Sequence, residues 1–215
     1  MTAIDLSELR KEYAAGEFDI DSANTSPFQQ FTQWFDQARQ AELPEPNAMV
    51  LSTVSADGRP TQRTVLLKFF DQQGFVFFTN YESRKAVQIQ HNNHVSLHFP
   101  WFPLQRQVEI SGTAQKVSTL ESIRYFSRRP RDSQLGAWVS QQSSVVSSRS
   151  LLRAKWDQMK QKFSDGEIPK PDFWGGFRVT PQRFEFWQGR PSRLHDRIEY
   201  IPAEEGSWDR RRLSP

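Results

Sequence analysis

The chain has 215 residues, enough for one large domain or two small ones. It contains no cysteine, which excludes a disulfide framework, a thiolate nucleophile and a Cys-ligated metal, and agrees with a reducing cytosol. The formal charge is only +3, no apolar run is long enough to span a membrane, and the polar start is unlike a signal peptide, so we expect no membrane association.

The N-terminal part of the chain is polar and precedes the first clear helix signal. We predict a mobile arm over residues 1–25 and a single domain over residues 26–215. Ser26-Pro27 is typical of a helix start, with Ser as the N-cap and Pro at the first helical position. Aromatic side chains recur at helical spacing up to Ala38, which predicts that one side of this helix faces the core.

From residue 48 onward the pattern is mostly of β type. Short segments with strand patterning are separated by turn residues, including a hairpin turn at Asp57-Gly58. Ser118 and Glu121 form a capping box for one of the few helices. This pattern favours a mainly β fold with flanking helices (α+β), and a β-barrel over a doubly wound sheet. The predicted strands are 48–54, 61–70, 75–79, 94–99, 106–116, 176–179, 183–187, 197–201 and 208–213, and the later helices are 84–90, 118–127, 133–139 and 148–163.

The segment 187–197 gathers an indole, several basic groups and a Gly/Pro turn. Arg193, His195 and Arg197 stand at every second position, and in an extended chain such side chains point to one face. Together with Trp187, that face suits a planar, anionic or aromatic ligand. The alternative is a solvated edge strand whose charges deter aggregation.

Two further groups of basic residues lie in the first half of the chain. Arg63 and Lys68 belong to an apolar strand, where a buried charge needs a partner. Unless a bulge intervenes, strand parity places them on opposite faces, where we expect them to serve different anions. The alternative is a strand with its ends in water. Ser83 is expected to cap a short helix that begins with Arg84 and Lys85, where cations are disfavoured unless an anion joins them. Free N–H groups and two cations predict a phosphate site, and the alternative is a chance surface arrangement.

A third group follows the capping box. Tyr125 and Arg129 are one helical turn apart and therefore share a face. We expect Ser133 to cap the next helix and to donate to a phosphate. Gln142 and Ser143 add uncharged donors of the kind that bind the edges of flavin or pyridine rings. No metal site is predicted, because the four histidines have no carboxylates at ligand spacing.

In their order along the chain, these motifs resemble those of the pyridoxamine 5′-phosphate oxidase family, flavin enzymes that make pyridoxal 5′-phosphate. The resemblance runs from about Leu9 to Pro215, nearly the whole chain. It implies an FMN-binding split β-barrel, a homodimer with FMN at the subunit interface, and a cytoplasmic location. The segments that carry it are 63–68, 83–85, 99–101, 127–138, 173–178, 186–189 and 193–197.

The resemblance also implies a role for each matched residue. Arg193 and His195 would be catalytic and lie over the pyridine ring of the substrate. Arg10 and Tyr13 belong to a segment that resembles one able to close over the substrate. The substrate phosphate would be bound by Lys68, Tyr125, Arg129 and Ser133. Arg63, Arg84 and Lys85 would hold the FMN phosphate, and Val65, Leu66, Lys68, Phe78, Thr79, Gln107, Gln142, Ser143, Trp187 and Arg197 would complete the cofactor site.

The implied reaction is the oxidation of pyridoxamine or pyridoxine 5′-phosphate by O₂ to pyridoxal 5′-phosphate. A hydride equivalent would pass from C4′ to N5 of FMN, and O₂ would be reduced to hydrogen peroxide. The amine substrate would also release ammonia. Phe78 stands where some members have Tyr, Glu45 stands where some have Asp, and 189–192 is a local variant. The role of Glu45 and the preference between the two substrates stay open.

Two other classes of protein remain as alternatives. One is a different FMN split-barrel enzyme, such as a flavin reductase, which has no need of the substrate-phosphate set. The other is a basic domain that binds nucleic acid through the clusters at 128–131 and 210–212, which predicts salt-sensitive affinity and a colourless protein. We expect no nucleic-acid partner. The colour of the purified protein separates these classes most simply.

Overall fold

The computed structural model describes residues 8–9, 12–14 and 16–215. Within these residues strands dominate and helices flank them, which confirms the predicted fold class. None of the described helices is long and apolar enough to cross a membrane. The strands are β1 Ala48–Val54, β2 Pro60–Leu66, β3 Phe69–Asp71, β4 Gly74–Asn80, β5 His94–Trp101, β6 Arg106–Lys116, β7 Trp174–Gln188, β8 Asp196–Pro202 and β9 Trp208–Arg212. The helices are α1 Pro27–Gln40, α2 Arg84–His91, α3 Thr119–Ser127, α4 Arg131–Val139 and α5 Arg149–Lys162.

The strands pair in the order β2-β1-β5-β6-β7-β4-β3, with β8 beside β7 and β9 beside β8. The predicted first hairpin is present: β1 and β2 are antiparallel, with Met49 opposite Val65. Its turn contains Gly58 at a φ of 80°, a left-handed conformation that glycine adopts without a Cβ clash. Burial alternates along β1, and Met49 and Leu51 are fully buried. The period-2 pattern therefore identified this strand correctly.

The chain forms two compact units. Unit one contains the described residues up to Asn47, together with His98–Ile110 and Gln182–Pro215. Its core is aromatic, as the ring of Trp34 on α1 meets that of Phe186 edge-on at 5.3 Å. The predicted core-facing side of α1 is thereby confirmed, and Pro27 stands at its N-terminus as expected. Ser26 is the N-cap, but its side chain makes no capping hydrogen bond.

The start of unit one bears on the predicted mobile arm. Phe18 is buried and its ring lies 4.8 Å from that of Trp34. The backbone carbonyls of Ile20 and Ala23 accept hydrogen bonds from Arg210. These contacts hold residues 18–23 against the rest of unit one. The boundary at residue 25 between an arm and a single domain stays a prediction.

Unit two contains Ala48–Leu97 and Ser111–Pro181. A cluster of buried apolar side chains forms part of its core: Phe126, Leu135, Ile168 and Trp174. The predicted capping box is present at α3, where the Glu121 N–H donates to Ser118 Oγ at 3.1 Å and the Ser118 N–H donates to Glu121 Oε2 at 3.1 Å. This cap fixes the start of α3, which carries Tyr125.

Two predictions were wrong about where a strand is interrupted. The predicted strand 61–70 breaks at Leu67 and Lys68, so that β2 ends at Leu66 and β3 begins at Phe69. Conversely, the predicted strands 176–179 and 183–187 belong to one strand, β7, which runs through Pro181. A proline has a φ compatible with an extended chain and removes one donor, so it need not end a strand.

Two capping predictions were also wrong. Helix α4 begins at Arg131 with Pro130 as its N-cap, which places Ser133 in the first turn and not at the cap. Ser83 is the N-cap residue of α2 by position, but its side chain caps no helix N–H. The Ser83 hydroxyl accepts instead from Lys85 Nζ at 3.4 Å. A buried ammonium therefore uses the hydroxyl that the sequence pattern assigned to the helix.

Candidate functional site

Unit two contains a cavity of about 1000 Å³. All charged side chains that line it are cationic, and no carboxylate is among the lining residues that the structure describes. Phe78, Tyr125 and Trp174 contribute aromatic surface. Such a cavity suits an anionic ligand with planar rings. The cationic lining residues are Arg63, Lys68, Arg84, Lys85, Arg128 and Arg129.

The break between β2 and β3 decides where Arg63 and Lys68 lie. In an uninterrupted strand their side chains would point to opposite faces. The chain leaves the strand conformation at Leu67 and Lys68, and the Lys68 N–H donates to Val76 O at 2.9 Å. Arg63 and Lys68 consequently line the same cavity. The expectation of separate faces was conditional on an unbroken strand, and that condition is not met.

Lys85 is the most buried cation of the cavity, with 7% of its surface exposed. Within the described part of the chain, its Nζ donates only to neutral oxygens, including Thr79 Oγ1 and Gln142 Oε1, both at 3.2 Å. Burial, together with the charge of Arg63, lowers the pKa of Lys85 to about 8. Burial and the charge of Arg84 likewise lower the pKa of Arg63. This end of the cavity therefore holds positive charge that an anion would stabilise.

The N-terminus of α2 adds backbone donors to the same end. Arg84 and Lys85 are the first two residues of this helix, where N–H groups and the helix dipole favour an anion. Ser143 lies beside them, and its Oγ accepts from the Arg84 N–H at 3.3 Å. Gln142 and Ser143, expected as donors to a ring edge, here offer oxygens to Lys85 and Arg84.

Arg129 is a further cationic residue of the cavity wall. Its guanidinium lies 4.7 Å from the ring centroid of Trp174, and burial lowers its pKa. Its Nη1 is buried without a hydrogen-bond partner among the described residues. An unsatisfied buried donor costs about 1–3 kcal/mol, more when charged. The ring of Tyr125 stacks on Phe78 at 4.0 Å beside it. A ligand acceptor placed here would satisfy this donor.

Most residues proposed from the sequence meet in this cavity. The structure does not describe Arg10, so that prediction lies outside the described residues. Glu45, whose role was left open, is exposed and has a φ of 46°. Trp174 and Arg128 also line the cavity and were not singled out by sequence reasoning. The proposed residues that line it are Arg63, Val65, Leu66, Lys68, Phe78, Thr79, Arg84, Lys85, Tyr125, Arg129, Ser133, Gln142 and Ser143.

A second group of proposed residues lies in unit one. The rings of Trp187 and His195 are 4.5 Å apart, and Tyr13 meets both edge-on at 5.7 and 5.6 Å. Tyr13 therefore packs against Trp187 and His195, and its role in covering the substrate stays a prediction. Gln107 lies on β6 in the same unit and is half-buried.

The expectation that Arg193, His195 and Arg197 share a strand face was wrong for Arg193. Residues Pro191–Arg193 form a short 3₁₀ turn, and β8 begins only at Asp196. Ser192 and Arg193 have φ values of 55° and 61°, which turn the backbone out of the extended conformation. The turn leaves Arg193 exposed. Alternation applies only where the chain is extended.

His195 is held in one orientation by the loop before it. Its Nδ1 accepts a hydrogen bond from the Arg190 N–H at 3.1 Å. Burial and the charge of Arg193 lower the pKa of His195, against the opposing effect of Asp196. Because Nδ1 is an acceptor, the neutral ring carries its proton on Nε2. His195 is thus prepared to donate a hydrogen bond through Nε2.

Arg197 is held by a carboxylate that the sequence interpretation did not select. Its Nε donates to Glu185 Oε1 at 2.8 Å, and Glu185 Oε2 accepts from Arg183 at 2.6 Å. Glu185 is buried, and its pKa is lowered by Arg197 and Arg183 despite that burial. The available signal was a carboxylate between two phenylalanines of one strand, which requires a buried partner.

Comparisons with known proteins place these observations in a family. Residues 35–163 match the family model described as pyridoxamine 5′-phosphate oxidase. Residues 174–215 match the model of the pyridoxine 5′-phosphate oxidase C-terminal dimerisation region. The pyridoxine/pyridoxamine 5′-phosphate oxidase of Crocosphaera subtropica is 61% identical, covering 99% of this chain and 100% of its own length. That of Rippkaea orientalis is 58% identical, with the same coverage.

Two solved structures are similar in fold. PhzG from Burkholderia lata 383, in complex with tetrahydrophenazine-1-carboxylic acid, has a TM-score of 0.88 at 26% identity, covering 95% of this chain and 100% of its own. A pyridoxamine 5′-phosphate oxidase-related, FMN binding protein from Nostoc punctiforme has a TM-score of 0.71 at 16% identity, covering 89% and 100%, which shows the fold alone.

The fold is that of a split β-barrel protein, and its cationic, aromatic-lined cavity suits an anionic ligand with planar rings. The two family models together match residues 35–163 and 174–215, and the two relatives share more than half of the residues of this chain. The chain belongs to the pyridoxamine 5′-phosphate oxidase family. The resemblance and the split-barrel fold expected from the sequence are thereby confirmed.

Proposed function

We propose that the protein uses FMN and O₂ to oxidise pyridoxamine and pyridoxine 5′-phosphates to pyridoxal 5′-phosphate in vitamin B6 salvage. Hydrogen peroxide is the second product, and the amine substrate also releases ammonia. The observation that carries this proposal is a cavity whose lining combines two groups of cationic side chains, one around Lys85 and one around Arg129, with aromatic rings. A cofactor and a substrate that each carry a planar ring and a phosphate match this arrangement.

The residues at the α2 end fit the phosphate of FMN. Arg63, Arg84 and Lys85 would hold it, because the buried Lys85 has only neutral partners among the residues that the structure describes. When bound, FMN supplies the redox chemistry by accepting a hydride equivalent from the substrate and passing the electrons to O₂. The remaining residues proposed for the cofactor within the cavity are Val65, Leu66, Lys68, Phe78, Thr79, Gln142 and Ser143.

The residues at the Arg129 end fit the phosphate of the substrate. Arg129 brings a buried Nη1 that has no partner among the described residues. Lys68, Tyr125 and Ser133 line the same cavity and would add a charge and two hydroxyl donors. Fixing two phosphates in separate places would hold the two rings in a reactive orientation, which removes rotational freedom before the reaction.

The residues of unit one would act on the reacting ring and complete the cofactor site. His195, with its proton on Nε2, would donate to the phenolic oxygen of the substrate, and Arg193 would orient the pyridine ring. Gln107, Trp187 and Arg197 are proposed to contact the flavin, and Tyr13 to cover the substrate together with Arg10, which lies outside the described residues. The cytoplasmic location and the absence of a nucleic-acid partner are also proposals.

The first test is the colour and activity of the purified protein. We expect a yellow protein with about one FMN per chain, because a flavin bound in a fixed site copurifies. It should consume O₂ when given pyridoxamine 5′-phosphate and produce equal amounts of hydrogen peroxide and aldehyde. Flavin absorbance, an oxygen electrode and peroxide detection measure these results. A colourless protein that cannot be reconstituted with FMN contradicts the proposal and leaves the nucleic-acid alternative.

We also propose a homodimer with FMN at the subunit interface. The match of residues 174–215 to a dimerisation region supports this assembly. Light scattering should give twice the chain mass of 25.1 kDa, and dilution that dissociates the dimer should release FMN. A monomer that retains FMN under these conditions would refute the interface.

Arg129→Ala should weaken substrate binding more than turnover. The variant removes a hydrogen bond to a charged group, worth about 1.5–3 kcal/mol. That contact exists in both the bound substrate and the transition state, so KM should rise about 10- to 100-fold with a smaller change in kcat. Steady-state kinetics with pyridoxine 5′-phosphate and with phosphate-free pyridoxine measure the effect. Equal losses for both substrates would show that Arg129 is structural, and a flavin reductase would show no phosphate dependence.

A further inference from the structure

The guanidinium of Arg63 is bound entirely by neutral oxygens among the described residues. Its Nη1 donates to Leu51 O at 3.1 Å and to Thr53 Oγ1 at 2.6 Å. Its Nη2 donates to Thr61 Oγ1 at 2.6 Å and to Gln88 Oε1 at 3.4 Å. Both terminal nitrogens are therefore fixed, while the positive charge keeps no carboxylate partner. This differs from Arg183 and Arg197, which pair with glutamates.

Gln88 connects these contacts. It lies on α2 with 6% of its surface exposed, and its Oε1 accepts from Thr53 Oγ1 at 2.6 Å and from Thr61 Oγ1 at 2.8 Å. Each threonine hydroxyl has one proton, and donating it to Gln88 leaves the lone pairs for Arg63. The amide oxygen of Gln88 thus orients both hydroxyls toward the guanidinium.

We propose that Gln88 is a positioning residue that fixes Arg63 through Thr53 and Thr61 and, by being uncharged, keeps the site selective for a phosphorylated flavin. The inference rests on the proposed function, in which Arg63 binds the FMN phosphate. A glutamate would fill the same space and accept the same hydrogen bonds. Its charge would neutralise Arg63 and repel a phosphate, so the amide preserves both the geometry and the positive field.

The test compares flavins that differ only in the phosphate. FMN and riboflavin are titrated against flavin-free protein, and the dissociation constants are measured by the quenching of flavin fluorescence. For Gln88→Glu we expect FMN to bind at least about tenfold more weakly, as for a lost charge-assisted contact, with riboflavin affinity unchanged. Gln90→Glu is the matched control, because Gln90 is exposed on the same helix and its added charge is screened by solvent.

Gln88→Met provides a second variant that adds no charge. It removes the acceptor of both threonine hydroxyls, so we expect a smaller loss of FMN affinity than for Gln88→Glu and again no change for riboflavin. If Gln88→Glu does not fold, this phosphate-specific loss in Gln88→Met still supports the positioning role. Unchanged FMN affinity in the folded variants, or equal loss of both flavins, overturns the inference. Wild-type protein that binds neither flavin, or both equally, would instead contradict the proposed function.

Discussion

Arg193→Met is expected to lower kcat/KM by about a hundredfold while FMN stays bound, a loss comparable to removing a well-placed catalytic group. Methionine keeps much of the length of the side chain and removes its charge and its planar donors. Arg193 is exposed in a turn and makes no ion pair among the described residues, so its removal should not destabilise the fold. Steady-state kinetics and flavin content measured on the same samples give the result.

Two variants separate a catalytic role from a general effect of charge. Arg211→Met removes an exposed guanidinium of β9 that we assign to no site, and it should leave kcat/KM near normal. His195→Asn should cost less than Arg193→Met and should change the pH profile, because it removes the only group of the two that titrates near neutral pH. Activity that falls only in proportion to lost FMN would show that Arg193 maintains the cofactor site and does not act on the substrate.

Local sequence patterns predicted the elements of this fold well where one interaction dominates. Alternating burial identified β1, and the reciprocal bonds of Ser118 and Glu121 fixed the start of α3. The errors occur where a distant group competes for the same atoms. Ser83 is bound by Lys85 in place of the helix N–H groups, and no local pattern contains that information. The division of β7 into two predicted strands has a different cause: the strand continues through Pro181 because proline is compatible with an extended backbone.

The sequence supplied the chemical types of the site residues but not their arrangement. Arg63 and Lys68 reach one cavity because the strand between them breaks, a feature that parity arguments cannot provide. Arg193 leaves the predicted face because two successive residues adopt positive φ. The supporting residues were missed altogether. The contact of Gln88 with Arg63 joins residues distant in the sequence, so only the folded chain shows it. Glu185 carried a sequence signal in its place between two phenylalanines, but its partner Arg197 could not be read from that pattern.

The affinity for FMN should fall as the pH rises above 8, because of Lys85. The pKa of this buried ammonium is about 8 in the protein and 10.5 in a free side chain. The phosphate binds the protonated form, so affinity should be nearly constant from pH 7 to 8 and then fall about tenfold per pH unit. Fluorescence titration of flavin-free protein with FMN between pH 7 and 10 measures this dependence. Riboflavin, which has no phosphate, should show little of it.

Substitutions of Lys85 link this pH dependence to one group. Lys85→Arg keeps a charge that does not titrate in this range, so the decline above pH 8 should disappear. Lys85→Met should weaken FMN binding about 10- to 100-fold at pH 7, as for a hydrogen bond to a charged group.

Because the pKa of Lys85 in the folded protein lies below its value in the unfolded chain, the unfolded chain binds more protons between pH 8 and 10.5. The lysine therefore destabilises the flavin-free protein most below pH 8, and its penalty shrinks as the pH rises through that window. Lys85→Met should accordingly raise the Tm of the flavin-free protein at pH 7 and have little effect near pH 10. A wild-type pH profile in Lys85→Arg would show that another group controls phosphate binding. A lower Tm in Lys85→Met at pH 7 would contradict the destabilising effect assigned to the buried ammonium.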